Sequence, residues 1–205
     1  YGNREQLIIC SSILGLIQRW NAGQLTRAQV MGATTQGIRA ALFSHSAEAV
    51  LIQPTGEPYI DVFQSSGAVV QRLAVGQPTA ATVSNDGTIV ATASQDGIQI
   101  WTNNAIVCET QAPNITHLAL SNAGTHLASL NESYALCIRR IDDLNSDVHE
   151  SPEYPPEALC SDPDNNWVVV ATRGGGLFSW SVNASTGQRL EHSTDHPRAV
   201  LADPN

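Results

Sequence analysis

Short runs of alternating apolar and polar residues recur along the whole chain and end in a bulky residue at regular intervals. These runs end at Trp20, Phe63, Trp101, Ile141 and Trp180. The intervals between these positions are 43, 38, 40 and 39 residues. Alternation with a period of two is typical of β-strands that bury one face. The similar intervals indicate a repeated structural unit of about 40 residues.

Polar turns divide each unit at the same phase. The first turns begin at Ser44, Ser84, Ser121 and Ser161. Second turns follow at Gln95-Asp-Gly, Asn131-Glu-Ser and Arg173-Gly-Gly-Gly, and third turns follow the bulky residue, as at Asn103-Asn. Gly, Asn and Asp tolerate the backbone angles of tight turns. No helical periodicity persists along the chain, so each unit is predicted to form four short antiparallel strands with almost no helix.

The clearest unit resembles the repeat of the WD-repeat β-propeller family. It runs from Thr82 through Ser84-Asn-Asp-Gly, Ile89-Val-Ala-Thr-Ala-Ser and Asp96-Gly to Trp101. The family's Trp-Asp dipeptide and Gly-His pair are missing. The family's hydrogen-bonded tetrad is therefore incomplete, although Ser94, Asp96 and Trp101 fill three of its places. The resemblance implies that Trp20, Phe63, Trp101, Ile141 and Trp180 pack between neighbouring blades.

The fold class expected from these patterns is all-β, a β-propeller of four-stranded antiparallel blades of about 40 residues each. The chain is read as one propeller region over residues 1–205. Its units cover residues 1–31, 32–75, 76–112, 113–152 and 153–193, and a further unit starts at 194–205. By phase the first unit lacks its first strand. Either the chain is part of a larger ring, or residues 198–202 pair with residues 6–11 and close a five-bladed ring.

Composition excludes several classes of function. Ten basic residues stand against 19 acidic ones, which gives a net charge of -9. Such a surface repels phosphate backbones, so nucleic acid is not an expected partner. The longest apolar stretch, residues 7–17, is too short for a membrane helix, so no membrane partner is expected. Four cysteines in apolar contexts, without metal-ligand spacing, predict buried thiols and a cytoplasmic location.

No catalytic or metal-binding motif stands out, so we expect neither enzyme activity nor a cofactor nor a metal. Arg173-Gly-Gly-Gly lacks the lysine and the following helix of a phosphate loop. His192 and His196 lie in a polar stretch that is a weak candidate for a divalent cation. His117 is expected on a strand beside the central channel, either as a ligand-binding residue or as a polar residue satisfied by its neighbours.

The leading hypothesis is a protein–protein interaction scaffold, because loops on a rigid framework are common binding surfaces. By analogy with the WD-repeat family, the second turns and the blade-to-blade loops form the partner-binding face, which carries Glu57, Asp96, Glu132, Tyr134, Tyr154 and Arg173. This mostly acidic face fits a basic protein or peptide. The alternative is a propeller that processes a small molecule or sugar, similar to lactonases.

Overall fold

The computed structural model describes residues 6–11, 16–21, 26–33, 37–44, 48–64, 66–144, 148–149, 155–161, 167–173, 176–181 and 187–192. Every regular element within these ranges is a β-strand, and every strand pairing is antiparallel. The prediction of an all-β chain is confirmed to this extent. No helix in the described part is long and apolar enough to span a membrane. Residues 198–202, Tyr154 and His196 lie outside the described residues.

The strands form five consecutive sheets in which sequence neighbours pair. Sheet 1 contains β1 (Gln6–Ser11), β2 (Leu16–Asn21) and β3 (Thr26–Ala33). Sheet 2 contains β4 (Ile38–Phe43), β5 (Ala49–Pro54), β6 (Ile60–Gln64) and β7 (Val69–Leu73). Sheet 3 contains β8 (Ala80–Val83), β9 (Ile89–Ala93), β10 (Ile98–Thr102) and β11 (Ala105–Thr110).

Sheet 4 contains β12 (Ile115–Leu120), β13 (His126–Asn131), β14 (Leu136–Arg140) and β15 (Val148–His149). Sheet 5 contains β16 (Pro156–Ser161), β17 (Trp167–Thr172), β18 (Gly176–Ser181) and β19 (Gly187–His192). The sheets are therefore not four-stranded throughout, because sheet 1 has three strands in the described residues and β15 has only two residues.

The register places one bulky position in every sheet. Trp20 pairs with Leu7, Phe63 with Val50, Trp101 with Val90 and Trp180 with Val168, and each partner is the second residue of its strand. In sheet 4 the residue at this position is Arg139, which pairs with Leu127. Ile141, expected here from the spacing, follows the end of β14 and is half-buried. The prediction from the spacing of apolar residues did not find this position, because a charged residue occupies it.

Hydrophobic clusters join sheet 2 to sheet 3, sheet 3 to sheet 4 and sheet 4 to sheet 5. Leu51, Ile60 and Val62 of sheet 2 pack with Val90 and Trp101 of sheet 3. The opposite face of sheet 3, which carries Ile98 and Ile100, packs with Leu118, Leu120 and Leu127 of sheet 4. A third cluster packs Leu130 and Ile138 of sheet 4 with Val168, Val170 and Trp180 of sheet 5. Because alternate residues of a strand point to opposite faces, one strand such as β10 serves two of these interfaces.

The first strands of sheets 3, 4 and 5 run side by side. The Leu120 N–H donates to Thr82 Oγ1 at 3.3 Å, and Ser161 Oγ donates to the Leu120 carbonyl at 2.9 Å. Asn85 N also lies 3.4 Å from the carbonyl oxygen of Asn122, which joins the first turns of sheets 3 and 4. The first turns thus share one end of the stack, and the second turns share the other, which we call the second-turn end.

Turn and cysteine chemistry accounts for further local features. Asn103 and Asn104 both have positive φ, at 52° and 63°, as a two-residue hairpin loop with right-handed twist requires.

Cys137 is buried, whereas Cys108 and Cys160 are half-buried, so the expectation of full burial holds for only one of the three thiols described.

Candidate functional site

The second-turn end carries most of the residues predicted for partner binding. Glu57 lies in the turn between β5 and β6 and is half-buried. Asp96, Glu132, Tyr134 and Arg173 lie in the corresponding turns of sheets 3, 4 and 5, and all four are exposed. These turns share one end because the second strand of each sheet runs antiparallel to the first.

Arg173 is held in place by a carboxylate that sequence reasoning did not single out. Its Nε donates to Glu157 Oε1 at 2.8 Å, and the Glu157 side chain is 21% exposed. This hydrogen bond and the charge of Glu157 raise the pKa of Arg173, and Tyr134 contributes in the same direction. Tyr134 and Arg173, two predicted residues, thus come from the second turns of neighbouring sheets. Tyr134 also has a φ of 66°, which is uncommon for an aromatic residue.

Around Glu57 lies a second arrangement of charged and aromatic groups. Arg72 donates to both carboxylate oxygens of Asp61, at 2.7 and 2.8 Å, and Asp61 is buried. The guanidinium carbon of Arg72 also lies 4.4 Å from the centre of the Tyr59 ring. The hydrogen bond to Asp61 raises the pKa of Arg72, with smaller contributions from Tyr59 and Glu57. The Arg72 charge is therefore already matched by an acidic partner within sheet 2.

An acidic pocket opens beside Asp96. Its volume is about 360 Å³, and its charged lining residues within the described chain are Asp96 and Glu109. Asp96 comes from the second turn of sheet 3, and Glu109 comes from β11, where it pairs with Gln99 of β10. Ser94, Gln99, Thr110 and Gln111 add hydroxyl and amide groups to the wall. This lining is suited to a cationic side chain that also donates hydrogen bonds.

A separate, largely aliphatic cavity of about 320 Å³ lies where the first strands β4, β8, β12 and β16 approach one another. His117 of β12 lines this cavity, and its Nδ1 is 2.9 Å from Thr116 Oγ1. Burial lowers the pKa of His117, against the opposing effect of a hydrogen bond with the Glu157 backbone. His117 thus lies at the cavity between the first strands, with polar neighbours on its own and the next strand.

Asp86 of the Ser84-Asn-Asp-Gly turn has a structural role. Asp86 accepts hydrogen bonds from Ser84 Oγ at 2.7 Å and from the Thr88 N–H at 3.0 Å. Burial by itself raises the pKa of Asp86, but these hydrogen bonds outweigh that effect and hold it below its ordinary value. Asp86 therefore serves to stabilise the first turn of sheet 3.

The tryptophan of the clearest repeat has a hydrogen-bond partner other than Ser94, the residue expected from the sequence. Trp101 Nε1 donates to Thr92 Oγ1 at 2.9 Å, within buried surroundings. Ser94, which was matched to the tetrad, instead accepts the Asp96 N–H at 3.2 Å inside the turn. The tetrad places assigned to Ser94 and Asp96 are thus used to form the second turn.

Among the described residues, no group of three or more His, Cys, Asp and Glu side chains is arranged to hold a metal ion. His192 lies at the end of β19, and its predicted companion His196 falls outside the described ranges.

Neither a model of a known protein family nor a curated protein matches this chain.

Sequence reasoning missed Glu109 of the acidic pocket, Glu157 beside Arg173, and Gln53, which lines the aliphatic cavity. All three lie on strands, whereas the prediction searched turns. A carboxylate at a position flanked by apolar residues was the available signal, as in Pro156-Glu-Ala-Leu and Val107-Cys-Glu.

Proposed function

We propose that this chain is a β-propeller similar to the WD-repeat family and serves as a protein–protein interaction scaffold. Consecutive antiparallel sheets that stack through their faces, with their first strands side by side, support this architecture. On this proposal the protein binds a partner and catalyses no reaction. The second-turn end is its binding face, and the partner is a protein or peptide with exposed basic residues.

The acidic pocket lined by Asp96 and Glu109 is the observation that carries this proposal. A pocket with two carboxylates and several hydrogen-bonding groups fits an arginine or lysine side chain better than any other side chain. Glu57 and Glu132 extend the negative charge across neighbouring turns. By contrast, Arg72 and Arg173 are paired with Asp61 and Glu157, so their charges oppose a basic partner only weakly.

The test uses a fluorescein-labelled peptide of alternating arginine and serine, with a glutamate–serine peptide as the charge control. The double variant Asp96→Asn/Glu109→Gln is expected to weaken binding of the arginine peptide about tenfold, measured by fluorescence anisotropy. Binding should also weaken with added salt, because a partly exposed charge pair is screened.

Glu48→Gln is the control for each single change, Asp96→Asn or Glu109→Gln, because Glu48 is an exposed carboxylate that directly precedes β5, at the opposite end of sheet 2. It removes one negative charge without touching the pocket and should leave binding unchanged. Equal losses in Glu48→Gln and the single pocket variants would indicate unspecific attraction to an acidic protein and would contradict the proposal.

A further inference from the structure

The aliphatic cavity between the first strands contains a buried polar group without a partner. Gln53 of β5 lines this cavity and is only 5% exposed, and its Nε2 has no hydrogen-bond partner. A buried amide without hydrogen bonds costs free energy, so a ligand that supplies the missing hydrogen bond gains binding free energy at this site. Gln53 pairs with Ala40 of β4, whose small side chain leaves the space beside the amide open.

The other polar groups of the cavity are already used. Thr79 Oγ1 donates to the Ala93 carbonyl at 3.3 Å, and Thr116 Oγ1 donates to the Leu130 carbonyl at 3.2 Å. His117 interacts with Thr116 and with the Glu157 backbone. The Gln53 carboxamide therefore contains the buried polar atom of the described lining, Nε2, that has no hydrogen-bond partner. Rotation about its last torsion, which is broad and nearly two-fold, presents either the oxygen or the nitrogen to the cavity.

The walls of the cavity determine the charge of the ligand. Leu42, Leu51, Ile60, Leu118 and Leu159 line it with aliphatic carbon. Apart from His117, no ionisable side chain of the described chain lines it. Burial lowers the pKa of His117, which favours the neutral imidazole. A charged ligand would lose its hydration here without gaining a counter-charge, so an uncharged molecule is favoured.

We propose that this cavity binds a small, uncharged aliphatic molecule that carries a carboxamide-like group, such as an amide, lactam or urea. Such a group has one acceptor and at least one donor, so it forms paired hydrogen bonds with the Gln53 carboxamide. Its hydrocarbon part packs against the leucine and isoleucine walls. This ligand site is separate from the acidic pocket, because the two share no lining residue.

The experiment is a titration of the ¹⁵N-labelled protein with hexanamide, followed by amide chemical shifts. We expect saturable shifts at Ala81, His117 and Leu118, which line the cavity. Hexanoate, which has a similar size but is negatively charged, should bind at least about tenfold more weakly at neutral pH. Equal binding of hexanamide and hexanoate, or no saturable shifts with hexanamide, would overturn the proposal.

Two variants separate the role of the amide from that of the cavity. Gln53→Leu should weaken hexanamide binding at least about fivefold, the loss expected for the hydrogen bonds of one amide. It should not lower the urea midpoint, because it replaces an unpaired buried amide with a side chain of similar size. Ala40→Leu keeps the amide and fills the cavity, so it should abolish the shifts. Unchanged binding in either variant would contradict the assignment of this site.

Discussion

Sheets 3 and 5 carry a tryptophan at the same register position, but the indole N–H has a hydrogen-bond partner only in sheet 3. In sheet 3, Trp101 Nε1 donates to Thr92 Oγ1. In sheet 5 the residue equivalent to Thr92 is Val170, and Trp180 Nε1 is buried without a partner. Both rings are nearly fully buried, at 6% and 2% exposed. The difference shows that packing alone retains the ring in sheet 5, at the cost of an unsatisfied donor.

The surroundings of Trp180 account for this retention. Phe178 lies two residues before Trp180 on the same strand face, and the two ring centres are 5.9 Å apart. In sheet 3 the equivalent residue is Gln99, which offers no such ring contact. Sheet 5 thus compensates for the missing hydrogen bond with aromatic contact and with Val168 and Val170 in the same cluster.

Sheet 4 offers a third solution at this position. Arg139 replaces the tryptophan, and its Nη1 donates to Ser129 Oγ at 2.8 Å. Ser129 is the register equivalent of Thr92. The hydrogen bond between the bulky position of the third strand and a hydroxyl of the second strand is therefore kept in sheets 3 and 4, although the donor changes from indole to guanidinium.

The second turns give the largest contrast between sheets 3 and 5. Gly97 and Gly176 are register equivalents, since each directly precedes the first residue of the third strand that pairs with the second strand. Gly97 has a φ of +149°, and a Cβ there would meet the backbone oxygen of Thr110. At Gly176 a Cβ would meet the Phe178 ring at 2.7 Å and Thr172 Oγ1 at 3.2 Å, which are side-chain rather than backbone atoms.

We therefore expect Gly97→Ala to lower the free energy of unfolding by about 3 kcal/mol and Gly176→Ala by about 1 kcal/mol. Urea unfolding followed by tryptophan fluorescence measures both. The comparison fails if the two substitutions cost the same, because the backbone clash and unfavourable φ at Gly97 would then have no effect.

Alternation and turn residues were enough to predict the strands, their antiparallel pairing and the near absence of helix among the described residues. These features depend on neighbours in sequence, which a single chain displays directly. Arg139 was missed because a search for regularly spaced apolar residues does not find a buried cation. Thr92, and not Ser94, accepts the hydrogen bond from Trp101. Which residue of the second strand faces the indole is set by the strand register, which the sequence pattern does not specify.

The candidate sites were predictable only in part for the same reason. Asp96, Glu132 and Tyr134 were found because they lie in turns, where polar residues stand out. Glu109 and Gln53 lie on strands, and each becomes part of a site only through residues on other segments of the chain. Glu109 lines a pocket with Asp96, and Gln53 lines a cavity with His117. Their burial and grouping follow from how the sheets stack, which local patterns do not report.

A smaller effect is expected from making sheet 3 resemble sheet 5. Thr92→Val removes the acceptor of Trp101 Nε1 and leaves a second buried indole N–H unpaired. We expect a loss of about 2 kcal/mol in the free energy of unfolding. Thr92→Ser is the matched control, because it keeps the hydroxyl and loses one methyl group, and it should cost about 1 kcal/mol. If the valine variant is as stable as the serine variant, the Trp101–Thr92 hydrogen bond contributes nothing measurable.

The smallest effect is expected from the reverse substitution, which makes sheet 5 resemble sheet 3. Val170→Thr places a hydroxyl where Thr92 has one, so Trp180 Nε1 gains an acceptor. The free energy of unfolding should rise by about 0.5–1 kcal/mol, because the new hydrogen bond is partly offset by burying a hydroxyl. The same substitution in a Trp180→Phe background tests the cause, since phenylalanine has no donor for the new hydroxyl. There Val170→Thr should be destabilising, and the coupling between the two positions measures the hydrogen bond itself. A gain of equal size in both backgrounds would show that the threonine acts through something other than Trp180.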